Sequence, residues 1–112
     1  MNALRDRLRH FVAERDWDKF HSPKNLAMAL SVEASELLEH FQWLTEDESR
    51  RLAPAKLAEV KDEMADVLVY LVRLADKLDV DLLAAAAQKI DKNALKYPAE
   101  KVRGSMKKYS DY

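Results

Sequence analysis

Glu33-Ala-Ser-Glu-Leu-Leu-Glu-His-Phe41 and Glu63-Met-Ala-Asp-Val-Leu-Val-Tyr-Leu71 are one pattern written twice. Each opens with two carboxylates at i and i+3 and runs on into an apolar stretch. That spacing puts both carboxylates of a pair on one helix face. With Glu33 at zero and about 100° per residue, Leu26, Leu37, Leu44, Leu30, Phe41, Ala34 and Leu38 fill an arc from roughly 20° to 140°. Glu36 lies about 60° to the other side. With Glu63 at zero, Val67, Leu74, Val60, Leu78, Leu71, Met64 and Leu68 fill the same arc, and Asp66 takes the place of Glu36. Two helices therefore each carry a core stripe with an acidic pair on the same shoulder. Antiparallel packing through the stripes lets both pairs face one cleft. Met28 and Val32, and likewise Val69 and Val72, lie outside the stripes, as expected of a subunit interface.

Four carboxylates beside a core repel one another and resist leaving water, so a cation is their natural compensation. Glu33, Glu36, Glu63 and Asp66 offer oxygen ligands alone, the set a hard ion such as Mg²⁺ takes. A single pair of this kind reads as solvated helix surface. Two copies at matched angles against two core stripes shift the balance toward a site. Glu59 and Glu39 flank it, on the surface by default or as a general base. A di-iron carboxylate bundle needs Glu-x-x-His on two helices. His10, His21 and His40 follow Arg7, Asp18 and Leu37 at that spacing, so the motif is absent.

Working outward, the other segments also read as helix. The 112 residues suit one domain, 1–112. One Gly, three Pro and an apolar share of 48% with few β-branched residues favour an all-α chain. A first helix spans about Asn2 to Arg15, with Leu4, Leu8, Phe11 and Val12 in phase. Asp16 to His21 is an aromatic loop. Ser22-Pro23 caps a second helix that runs to about Trp43. Thr45 and Glu48 have capping-box spacing. Pro54 opens a third long helix reaching Leu78. Asp79 or Asp81 caps a fourth, which ends near Lys96 before Pro98. The tail from Ala99 to Tyr112 holds the only Gly and several basic residues, and is expected to be irregular or ordered by a ligand or partner.

Several classes are excluded by composition. Net charge is −1, so no basic field marks a nucleic-acid polymer as partner. The absence of Cys excludes disulfides and thiolate metal sites. No apolar run is long enough for a membrane span or a secretory leader. A soluble cytoplasmic protein is the expectation.

Trp17 and Phe20 lie in a loop, where large aromatics plug a bundle end or stack on a planar base. His21 and Asn25 offer donors and acceptors to a base edge. Tyr70 projects about 20° from Glu63, between the metal face and the core. Lys89, Lys92 and Lys96 form a basic face, solvated by default or suited to an outgoing pyrophosphate.

The paired E-x-x-E and E-x-x-D, Glu14-Arg-Asp-Trp-Asp-Lys-Phe-His21, Pro23-Lys-Asn-Leu26, Phe41-Gln-Trp43, Asp66-Val-Leu-Val-Tyr-Leu71, the Lys89…Asn93…Lys96-Tyr-Pro98 run and Lys107-Lys-Tyr109 occur in order along nearly the whole chain. In this the chain resembles the MazG-like all-α nucleotide pyrophosphohydrolases, and among them the dCTP pyrophosphatase branch. The resemblance implies a four-helix core and an oligomer, homodimer or homotetramer, with sites at subunit interfaces. It implies Mg²⁺-dependent conversion (Mn²⁺ can substitute) of a nucleoside triphosphate, preferably dCTP or a modified dCTP, to monophosphate and pyrophosphate, cleansing the nucleotide pool. Alternatives are another pyrimidine or damaged triphosphate, or a non-catalytic nucleotide-binding oligomer. Carried over, Glu33, Glu36, Glu63 and Asp66 are metal ligands and catalytic residues. Trp17, Asp18, Lys19, Phe20, His21, Trp43 and Tyr70 hold the nucleoside, and Lys89, Asn93 and Lys96 lie near the phosphates. Two positions depart from the pattern. Leu8 stands where mammalian members have a substrate-contacting His, and Lys96 where relatives often have Arg, which replaces a bidentate fork with a point charge.

Overall fold

A computed structural model describes residues 1–104, apart from the side chain of Val102. The basic end at Lys107, Lys108 and Tyr109 lies outside the described residues. Four long helices, α1 (Asn2–Glu14), α2 (Pro23–Glu39), α4 (Pro54–Lys77) and α5 (Leu82–Lys96), are joined by a 3-10 turn (Asp18–Phe20) and a short α3 (Glu46–Ser49), and followed by a short α6 (Ala99–Val102). The described residues contain no strand. The all-α expectation is met, and no helix among them is long and apolar enough to cross a membrane.

Local chemistry sets the helix starts. The Ser22 hydroxyl accepts from the Asn25 amide at 3.1 Å, with Pro23 in the first helical turn. Thr45 and Glu48 form the full capping box. Asp81, rather than Asp79, caps α5 by accepting from the Ala84 amide at 3.1 Å. Asp79 instead takes part in a helix stop. Asp16 and Asp79 both have left-handed φ, 53° and 55°. After α1, Trp17 N–H donates to Val12 O and Asp16 N–H to Ala13 O; after α4, Val80 donates to Ala75 and Asp79 to Asp76. Both are Schellman closures, with Asp in the position Gly usually takes.

Two boundaries differ from the reading of the sequence. The second helix stops at Glu39, short of Trp43, because His40 to Leu44 turn tightly and leave Thr45 extended as the next N-cap. The tail is not irregular at its start, since Ala99–Val102 forms one helical turn.

The chain divides into two compact units, residues 1–80 and 81–112. In the first, α2 packs on α4, with α1 also against α4. Three cross-contacts fix the direction. His21 meets Arg73, Glu33 adjoins Glu63, and His40 approaches Glu59 at 3.8 Å. Rising positions on α2 meet falling positions on α4, so the pair is antiparallel. Val12, Leu26, Val60, Val72 and Ala75 are the buried apolar side chains. Burying each of the larger ones contributes roughly 1.5–3 kcal/mol. Two expectations need correction. Val72 belongs to the subunit's own core rather than to an outer face, since α1 and α2 both pack on α4, and Arg9 and His21 meet Asp76 and Arg73 close to it. Leu38, Met64, Leu68 and Leu78, assigned to the core stripes, remain exposed, because α2 and α4 cover each other over only part of their stripes. Met28 and Val32 are exposed, as expected.

In the second unit, α5 exposes Leu83, Ile90 and Leu95. Lys89, Asn93 and Lys96 lie along this helix.

Candidate metal and nucleotide site

Antiparallel pairing brings the middle of α2 against the first half of α4. Glu33, Glu36 and Glu63 each offer a carboxylate oxygen, and these oxygens lie within 4.8 Å of one another. All three side chains are half-buried. Oε2 of Glu33 and Oε2 of Glu63 are buried with no hydrogen-bond partner. Such atoms cost free energy unless something satisfies them. Asp66, the fourth sequence candidate, is exposed and outside this close group, but its charge bears on both Glu33 and Glu63.

The electrostatics follow from that crowding. Burial, then the neighbouring Glu63 and Glu36 carboxyls, pushes Glu33 up to about 7. Burial raises Glu63 as well, with Glu36 and Asp66 adding to the rise. The two carboxyls titrate as a pair, and one proton between them relieves the repulsion. A divalent cation would relieve it further. The donor set is all oxygen, anionic and partly unsatisfied, and it fits a hard cation.

The aromatic segment is built differently from a bare pocket wall. Trp17 is the second residue past Arg15, the C-cap of α1, and its ring meets Phe11 edge-on, with centroids 5.7 Å apart. That is the apolar contact a Schellman closure favours. The guanidinium of Arg15 lies 3.7 Å from the Phe11 ring centre. Trp17 and Phe20 nevertheless stay exposed, with Lys19 near the Phe20 ring and paired to Asp16 at 3.0 Å. Asn25 donates to Phe20 O at 3.0 Å and so pins the turn to the start of α2. Trp43 is 87% exposed, in the turn after α2. Tyr70 is half-buried on α4, one turn past Asp66. Glu59, a candidate base, lies 3.7 Å from Lys56 as well as near His40.

Sequence reasoning missed an ion network at the other end of the α2–α4 seam. Arg73 is 4% exposed on α4. It donates to Asp18 at 3.0 Å, to Asp76 at 3.3 Å and to His21 Nδ1 at 3.4 Å. Lys77 also pairs with Asp18, at 2.5 Å, and Arg9 forks onto Asp76. Lys77 first, then Arg73, holds Asp18 below the usual carboxylate range, and Arg9 does the same for Asp76. The available signal was an Arg inside the apolar run Val67–Ala75.

The profile of the MazG-like family matches residues 28–112. The chain is 46% identical to dCTP pyrophosphatase 1 of Homo sapiens over 103 residues, covering 90% of this chain and 61% of the human protein. The Mus musculus protein of the same name is 47% identical with the same coverage. The chain thus spans about three-fifths of the length of these curated relatives. A solved pyrophosphatase structure from Archaeoglobus fulgidus superposes with TM-score 0.83 at 44% identity, covering 88% of this chain and 92% of that one. The repeated acidic pairs, the helical architecture and a family match over well over half of its length lead to one conclusion: the chain belongs to the MazG-like family.

Proposed function

We propose that this chain hydrolyses a nucleoside triphosphate, preferably dCTP or a modified dCTP, to the monophosphate and pyrophosphate. The observation that carries this reading is the close group of Glu33, Glu36 and Glu63 with two orphaned oxygens, in a chain that is 46% identical to a dCTP pyrophosphatase. Glu33, Glu36, Glu63 and Asp66 would hold Mg²⁺, or Mn²⁺ in its place. Bound there, such a cation would supply charge neutralisation for the triphosphate and would make water more acidic. The carboxylates set its position and, without it, repel a polyanion. The bond broken is the phosphoanhydride between the α and β phosphates, and a carboxylate accepts the proton from water.

Trp43, which follows the opposite end of the α2–α4 seam, offers its ring from another copy of the chain, and Trp17 and Phe20 present aromatic surface to a planar base from the turn before α2. Asp18, Lys19, His21 and Asn25 shape the same turn, and Tyr70 stands between it and the acidic group along α4. Phosphate contacts by Lys89, Asn93 and Lys96 rest on the resemblance alone. The exposed Met28, Val32, Leu38 and Met64 support a homodimer or homotetramer, with residues 1–112 acting as one domain in the cytoplasm.

The test is incubation with each standard ribo- and deoxyribonucleoside triphosphate and Mg²⁺, with products resolved by chromatography. Pyrophosphate and dCMP released fastest from dCTP support the proposal. A different preferred pyrimidine or damaged triphosphate moves the substrate. Nucleotide-induced stabilisation without product leaves a binding protein and ends the enzymatic reading.

A further inference from the structure

Arg73 is the one polar side chain among the buried described residues. A buried ion network is weak evidence for stability, since apolar side chains of similar volume often serve as well or better. Its partners suggest another reason for an Arg at this position. Asp76 keeps Arg9 without Arg73, and Asp18 keeps Lys77. His21 Nδ1 is different, because among the described residues its hydrogen-bond partner is the Arg73 Nε–H. Guanidinium nitrogens are donors only. An Nδ1 that accepts from Arg73 therefore carries no proton, and the proton of the neutral ring sits on Nε2.

We propose that Arg73 is a positioning residue that locks His21 as the neutral Nε2–H tautomer and holds the turn at residues 17–21 on the helix bearing Glu63 and Asp66. On the reading that this turn receives the nucleoside, the locked ring offers a fixed donor to an acceptor on the base, a carbonyl oxygen or ring nitrogen. The fork geometry matters as much as the charge. Asp18, Asp76 and His21 approach three different nitrogens of one planar group, an arrangement that a Lys ammonium cannot reproduce. The groups bearing on His21 agree with a neutral ring. Burial, the Arg73 charge and Lys77 lower its proton affinity, and Asp18 alone opposes them.

The experiment compares wild type, Arg73→Met and Arg73→Lys. Long-range proton–nitrogen NMR of the unliganded protein reads the His21 tautomer, and steady-state kinetics with dCTP and Mg²⁺ read KM and kcat separately. Wild type is expected to show one Nε2–H form, and both variants a mixture of tautomers. KM is expected to rise about tenfold in Arg73→Met while kcat stays within about twofold, the pattern of lost binding rather than lost chemistry. Arg73→Lys, which keeps the charge and secures the fold, should not rescue KM. A wild-type Nδ1–H form, or variants with both tautomer and KM unchanged, overturns the proposal. If wild type fails to turn over dCTP while the tautomer shifts as stated, the lock stands and the enzymatic reading falls.

Discussion

Glu33 should make the cation-free protein less stable at slightly alkaline pH than at mildly acid pH. Its carboxyl rises from 4.5 to about 7 on folding. Between those values the folded chain binds more protons than the unfolded one, so stability falls as pH increases. The advantage is complete below 4.5 and gone above about 7. At 1.36 kcal/mol per pH unit the rise corresponds to about 3 kcal/mol. The side chain is only half-buried, so solvent screening reduces this to about 1–2 kcal/mol. In a unit of this size that is a melting shift of roughly 5–10 °C. The assay is thermal unfolding by circular dichroism in chelator, at about pH 5.5 and pH 8, a range in which the depressed carboxylates Asp18 and Asp76 stay ionised. Wild type should melt lower at the higher pH. Glu33→Gln should flatten the difference, and Mg²⁺ should remove it from wild type. Equal melting of wild type at both pH values would refute the argument that the carboxylates are crowded.

Other outcomes follow from the same structure. Leu26→Ala should cost about 2–5 kcal/mol in urea titrations, because Leu26 is 1% exposed and little can move to fill the space. Asp79→Gly should raise the melting temperature, since a left-handed φ of 55° costs a non-glycine residue about 1 kcal/mol; a lower value would mean the Asp79 side chain has a role the closure does not explain. Asp76→Asn should weaken the fold at neutral pH and lessen its acid sensitivity. Asp76 is held below its ordinary 3.8, so its contribution is present above that value and lost as pH falls through the lower one; an unchanged acid limb in chemical unfolding would count against the network.

The fold was legible because its signals are local and periodic. Ser22, Thr45 and Asp81 declare helix starts by residue type, and the acidic stripes declare both long partners. The approach of Glu33, Glu36 and Glu63 was legible for the same reason, since equal angular offsets on two antiparallel helices bring the pairs together. The stop at Glu39 was not, because Phe41 and Leu44 keep the helical phase while the backbone has already turned. The helix stops were hidden as well, since Asp is not the usual left-handed residue. Arg73 was hidden by distance. Nothing local to α4 says that Asp18 and His21, more than fifty positions earlier, will converge on it.

The register of the antiparallel seam between α2 and α4 is visible at three depths, where His21 meets Arg73, Glu33 lies beside Glu63, and His40 comes near Glu59. Its alignment therefore belongs to the helices and not to the connector between them. Added residues have very different consequences in the two places. An extra residue inside α2 before Glu33 turns everything beyond it by about 100° relative to everything before it, which uncouples the acidic pair from the anchored turn. A few residues added near Arg51, in the connector, only lengthen a surface path. Gly-Ser inserted after Arg51 should keep the Mg²⁺-dependent melting shift, and a single Ala inserted after Val32 should abolish it. The connector is the place where this fold can be lengthened or carry added sequence without disturbing the carboxylates on either side.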